Sequence, residues 1–171
     1  MVSILNVNTK GCSMEKPNYK NDLTFDERVM MGIVRAAENF KRAHSLVFKK
    51  YGLSFPQYNI LRVLEASEKG QNKISAVGKI MLTPGANMTG LAKRLEQNGF
   101  LERRPDPADE RVTMLVITQK GRDTLKRIEV EKDQAIDRIL EGIPQEAKET
   151  YLAVTKQIIK STGLLQKEMS G

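Results

Sequence analysis

The sequence predicts a mainly α-helical fold carrying one β-hairpin: short helices in the middle, longer helices at both ends, about six helices in all. Three observations predict it. Apolar residues recur at helical spacing on both sides of a central segment. The period changes to that of strands only between Phe100 and Ile117. Cap and stop residues fall at the breaks between the helical stretches. Hydrophobic residues are 40% of the 171, enough for a real core.

Residues 1–22 are rich in Asn, Lys, Gly and Ser without periodicity and are expected to form a mobile arm. Thr24 and Glu27 have capping-box spacing, and Val29, Met30, Ile33, Val34, Ala37, Phe40, Ala43, Leu46 and Val47 follow at helical intervals. This helix should stop near Tyr51-Gly52, with Lys49 and Lys50 at its negative end. Its length suggests packing against another chain as well as its own.

Ser54-Phe55-Pro56-Gln57 repeats the start signal, and Tyr58, Ile60, Leu61, Val63 and Leu64 give a short apolar helix ending at Ala66. Ser67 to Lys73 is expected to be a polar linker. Ile74, Val77, Ile80, Met81 and Leu82 mark a further short helix. Thr83 is expected to cap the next one, with Pro84 in its first turn and Met88, Leu91, Ala92 and Leu95 on its apolar side. Asn98-Gly99 closes it. Phe100–Arg104 and Val112–Ile117 are then the two strands, joined by a long charged tip from Pro105 to Glu110. Thr118 caps a helix with Leu125, Ile128, Ala135, Ile136, Ile139 and Leu140 on one side. Gly142 and Pro144 separate it from a last helix lined by Tyr151, Leu152, Val154, Ile158 and Ile159.

Helix, short helix, turn, helix and hairpin is the order of a winged helix-turn-helix. In that plan the second helix of the pair enters the major groove of a double-stranded DNA operator and the hairpin lies over the backbone or the minor groove. The DNA-contacting residues expected on the helix and at its start are Thr83, Gly85, Asn87, Thr89, Gly90, Lys93 and Arg94. Asn87 is the best base reader, because an amide pairs bidentately with adenine. Lys93 and Arg94 suit phosphates. On the hairpin, Arg104, Asp109 and Arg111 complete the set, with Asp109 expected to hold and aim the Arg111 guanidinium toward a narrow minor groove. One module spans few base pairs, so a homodimer is expected, with residues 53–117 as the reading lobe and residues 23–51 and 118–168 as dimerisation helices.

Leu95-Glu96-Gln97-Asn98-Gly99-Phe100-Leu101-Glu102-Arg103-Arg104, then Asp106-Pro107-Ala108-Asp109-Glu110-Arg111, then Ile117-Thr118-Gln119-Lys120-Gly121, resemble the MarR family of bacterial transcription regulators. The element order carries the resemblance over residues 25–160, a MarR-type domain bounded at 23–165. The resemblance implies a dimer with interlocked terminal helices, pseudo-palindromic operators, and release of a repressor by a small-molecule effector or an oxidant. It places the wing arginine at Arg111 and its acidic partner at Asp109. Glu110 departs from the family pattern, which often has Arg or Lys there. The implied effector region maps onto His44, Phe48, Tyr58 and Arg62, and the implied redox alternative onto Cys12.

Other classes fit poorly. One histidine and one cysteine leave no His/Cys metal cluster and no intramolecular disulfide. There is no GxGxxG, no P-loop and no credible nucleophilic triad, so no enzyme, catalytic residue or cofactor is expected. No apolar run is long enough to span a membrane, which points to the cytoplasm. The net charge of +7 raises the odds of an anionic partner, but it is spread along the chain and decides little alone. A winged-helix module that binds protein instead of DNA is the remaining alternative.

Overall fold

The computed structural model describes residues 22–170. Its elements are α1 (Phe25–Lys49), α2 (Phe55–Glu65), a 3-10 turn at Glu68–Gly70, β1 (Gln71–Lys73), α3 (Ile74–Ile80), α4 (Gly85–Gln97), β2 (Leu101–Asp106), β3 (Asp109–Ile117), α5 (Gln119–Leu140) and α6 (Gln145–Ser170). This is the winged-helix arrangement that the element order predicts. The expected arm and Cys12 lie outside the described residues. The chain divides into two compact units, one ending at Glu38 and one beginning at Asn39.

The described part of the first unit is the beginning of α1. The Thr24 amide donates to the Glu27 carboxylate at 2.7 Å and the Glu27 amide donates to Thr24 Oγ1 at 3.3 Å, which completes the expected box. These bonds hold the Glu27 carboxyl below its ordinary range, the Thr24 amide contributing most. Val29, Met30, Met31 and Val34 are exposed.

The second unit holds the core. Ile60, Leu61 and Leu64 from α2, Val77 from α3, Ala92 and Leu95 from α4, Leu115 from β3 and Ile128 from α5 are all fully buried. α2 is the axis of this packing, because three of its apolar residues fall within one helical turn and a half. Ser54 and Gln57 close its N-terminus, with Gln57 Oε1 accepting from the Ser54 amide at 2.9 Å. At the start of α5, Thr118 Oγ1 accepts from the Gly121 amide at 3.1 Å, as the cap signal predicts. Gly121 sits so close to the Phe100 carbonyl and the Ile117 side chain that a Cβ would clash with both. The last helix α6 buries no side chain: Tyr151, Leu152, Val154, Ile159, Leu164 and Leu165 are exposed.

Three expectations about element boundaries are corrected. The stretch from Ser67 to Lys73 is not wholly a linker. Gln71–Lys73 pairs antiparallel with Met114–Val116, so the sheet has three strands in the order β1-β3-β2. Nothing in three polar residues announces a strand; β1 exists because β3 offers it an open edge. The hairpin tip is also short. The strands run on to Asp106 and Asp109, leaving Pro107-Ala108 as the turn, and Pro105 lies inside β2. Proline is tolerated there because β2 is an edge strand, with a register irregularity at Pro105/Asp106. Finally, α3 ends at Ile80, and α4 begins at Gly85 with Pro84, not Thr83, as its N-cap residue. Thr83 Oγ1 donates to the Met81 carbonyl at 3.2 Å instead.

Candidate nucleic-acid interface

The helix α4 is amphipathic, and its two sides have different jobs. Met88, Ala92 and Leu95 are buried and fix it against the core. Gly85, Asn87, Thr89, Lys93 and Arg94 lie on the exposed remainder, and Gly90 is half-buried. Thr89 Oγ1 donates to the Gly85 carbonyl at 3.2 Å, and Arg94 Nε donates to the Gly90 carbonyl at 3.3 Å. These bonds lay both side chains along the helix. Asn87 and Lys93 make no side-chain hydrogen bond among the described residues, so both are available to a ligand. Thr83, half-buried, shares with Gly85 and Thr89 a cleft of about 680 Å³ between α3 and α4.

The hairpin is braced to this helix. Arg103 on β2 donates from its amide to Glu96 Oε1 at 3.1 Å and from Nε to Glu96 Oε2 at 2.8 Å. One glutamate near the end of α4 therefore takes both a backbone and a side-chain bond from the first strand. The Arg103 guanidinium holds the Glu96 carboxyl below its ordinary range. Asp106 anchors the other end of β2: Oδ1 accepts from the Ala108 amide at 2.9 Å and Oδ2 pairs with Lys73 Nζ at 3.0 Å. The turn amide, then Lys73, pull the Asp106 carboxyl down as well. Sequence reasoning missed all four of these residues as positioning groups. Asp-Pro-Ala is a readable signal for a turn closed by an aspartate; the seven-residue separation of Glu96 and Arg103 gives no such signal.

The brace is pH-dependent in a definite direction. Both carboxyls titrate lower in the folded chain than in the unfolded one. Their contribution is thus fully present above the ordinary carboxylate range and is lost as pH falls below about 4 through the folded values. Glu96→Gln should lower the thermal midpoint at pH 7, and its gap from the parent should narrow steadily below about pH 4. A gap of constant size across that range would show that the carboxylate charge is irrelevant to the brace.

The wing arginines differ from each other. Arg104 is paired with Glu102, two residues back on the same strand, and must leave that partner to reach a phosphate. Arg111 is exposed and its guanidinium has no partner among the described residues. The expectation that Asp109 grips this guanidinium is corrected: Asp109 Oδ1 accepts from the Arg111 amide at 3.1 Å. A carboxylate two residues back on a tight turn meets the backbone N–H first. Asp109 therefore fixes the turn and leaves the Arg111 side chain free.

Three of the four expected effector residues come together. The Phe48 and Tyr58 rings stack with centroids 4.0 Å apart, and His44 lies 5.9 Å from Phe48 and 3.9 Å from Phe40. Burial pushes the Tyr58 phenol up. His44 Nδ1 donates to the Phe40 carbonyl at 3.0 Å, and its Nε2 is buried with no partner among the described residues. Arg62 is near enough to act on the Tyr58 phenol electrostatically but is exposed, beside Asn59, Val63 and Met81, and makes no contact with the rings. It is on α2 four residues after Tyr58, but Tyr58 points into the core and Arg62 does not. The described residues contain no cluster of His, Cys, Asp and Glu able to hold a metal, and no helix among them is long and apolar enough to cross a membrane.

Comparison with known proteins agrees with this geometry. The family model described as transcriptional regulator SarA/Rot matches residues 42–128, from the end of α1 into α5. The HTH-type transcriptional regulator TtmR of Methylorubrum extorquens is 32% identical over 109 residues, 64% of this chain and 55% of its own length. The MarR family regulator Sco5413 of Streptomyces coelicolor superposes with a TM-score of 0.71 at 25% identity, over 81% of this chain and 95% of its own. Sco3205 from the same organism, a MarR family regulator solved in complex with DNA, has the same fold, with a TM-score of 0.75 at 19% identity over 86% and 92% of the two chains. These relatives are regulators of transcription. The chain belongs to the SarA/Rot family of transcriptional regulators and is a DNA-binding regulator of the MarR winged-helix type.

Proposed function

We propose that the chain is a cytoplasmic, homodimeric repressor that reads a pseudo-palindromic operator through α4 and the wing and leaves it when a small molecule binds. The single observation that carries DNA reading is the pairing of an exposed, unpartnered Asn87 on α4 with an exposed, unpartnered Arg111 on a wing braced to the same helix. Residues 53–117 supply the reading lobe. Helices within 23–51 and 118–168 hold two copies together. The reading rests on their apolar side chains left in water, among them Val29 and Val34 on α1 and Leu152 and Ile159 on α6.

Effector release rests on His44. A buried nitrogen without a partner, surrounded by aromatic rings, is the polar group an apolar ligand with one donor would satisfy. The direct test is selection of duplexes from a random pool, followed by footprinting. Two protected half-sites with centres about 34–36 Å apart are expected. A single protected half-site, or no enrichment, refutes the dimeric reader. On the selected operator, Asn87→Ala should lose about 1–3 kcal/mol at one base pair per half-site and relax the preference there. An equal loss on all sequences would make Asn87 a backbone contact.

A further inference from the structure

Leu82 breaks two rules at once. It lies between α3 and α4 at φ +51°, in the left-handed region, where among the described residues only Lys69 and four glycines join it. It is also 90% exposed, the largest exposure of any large apolar side chain described. The local hydrogen bonds explain the conformation. The Thr83 amide donates to the Gly78 carbonyl at 2.9 Å and the Leu82 amide to the Lys79 carbonyl at 3.2 Å, which closes α3 as a helix whose terminating residue must be left-handed. Glycine fits that position without penalty, and asparagine fits it tolerably; leucine fits it worst of the three. The fold gains nothing from the side chain, because it is in water.

The surroundings give the side chain a use. Leu82 lines the same cleft as Lys79, Thr83, Gly85 and Thr89, directly before the helix that carries Asn87. It is thus an apolar group on a mainly apolar cleft, with Ile74, Pro84 and Met88 also in its lining, at the N-terminal end of the helix that exposes Asn87. The apolar group that duplex DNA presents in its major groove is the thymine 5-methyl. We propose that Leu82 is a specificity-determining residue that packs on the 5-methyl group of a thymine at the edge of each half-site. The proposal rests on the DNA-reading function and adds to it a base that the hydrogen-bonding residues do not account for.

The experiment measures binding of the full chain, and of Leu82→Gly and Leu82→Asn, to the selected duplex. A matched series replaces each thymine in turn by deoxyuridine, which lacks only the methyl group. The parent should bind about fourfold more weakly when one particular thymine per half-site is replaced, the size of one lost methyl contact. Both variants should bind the thymine duplex about as weakly as the parent binds the deoxyuridine one, and should ignore the replacement. Both should melt no lower than the parent, with Leu82→Gly rising by up to roughly 4 °C as the backbone strain is removed. Variants that keep the parent's affinity and its thymine preference overturn the proposal while leaving DNA reading intact. Variants that lose affinity equally on thymine and deoxyuridine duplexes also overturn it, since Leu82 would then touch the sugar-phosphate backbone. Failure of the parent to bind any duplex removes the DNA reading itself and the proposal with it.

Discussion

Arg111→Ala should weaken operator binding by about ten- to a hundredfold at physiological salt while leaving the thermal midpoint and the oligomeric state nearly unchanged. The separation of effects follows from where the side chain is. Its guanidinium is exposed and contacts nothing that holds the hairpin. The turn is closed by the Arg111 amide and by Asp106, and alanine keeps that amide. Only the charge and the fork of donors are removed. An arginine inserted in a narrow minor groove is driven by the enhanced negative potential there, so the loss should shrink as salt is raised. Titration of both proteins with labelled operator at several salt concentrations measures this. Undiminished affinity for Arg111→Ala would show that the wing does not touch DNA. Asp109→Ala is expected to differ in kind: it frees the turn amide, so it should loosen the hairpin and cost affinity through geometry.

Phe48→Ala should cost about 3–5 kcal/mol of stability, the usual range for deleting a buried aromatic ring. Phe48 is 1% exposed, stacks on Tyr58 and touches Phe55 and His44. It ties the end of α1 to the start of α2. Its removal leaves a hole that a stacked partner on one side and a histidine on the other cannot close by small shifts. Denaturant titration gives the number. A loss under about 1.5 kcal/mol would show that the ring cluster rearranges freely. The same variant bears on the effector reading, since the hole lies beside the His44 ring. Small aromatic compounds should restore part of the lost stability by filling it.

The elements that the sequence made legible are those whose signals are local. Capping residues at Thr24, Ser54 and Thr118 act within three residues and locate three helix starts. The apolar spacing of α2 and the β-branched run of β3 were readable for the same reason. β1 was not, because Gln71-Asn72-Lys73 becomes a strand only when β3 is beside it. The end of α3 is not legible, because Met81 and Leu82 continue the apolar spacing past Ile80 and only the fold shows Leu82 in water. The site divides in the same way. The exposed face of α4 follows from helical geometry, so the exposure of Asn87 and Lys93 is legible in the sequence. The partner of Asp109 is not legible, because spacing along a strand says which side chains share a side but not whether a carboxylate will prefer an amide.

The two hydrogen bonds from Arg103 to Glu96 have a consequence for what the protein asks of its target. The pair joins α4 to the hairpin, so on the proposed reading the two would enter adjacent grooves as a single caliper. A duplex must bring both grooves to that fixed gauge, and sequences differ in how easily they twist or narrow to do so. Base pairs lying under the span, touched by neither jaw, will therefore influence affinity through the stiffness of the duplex.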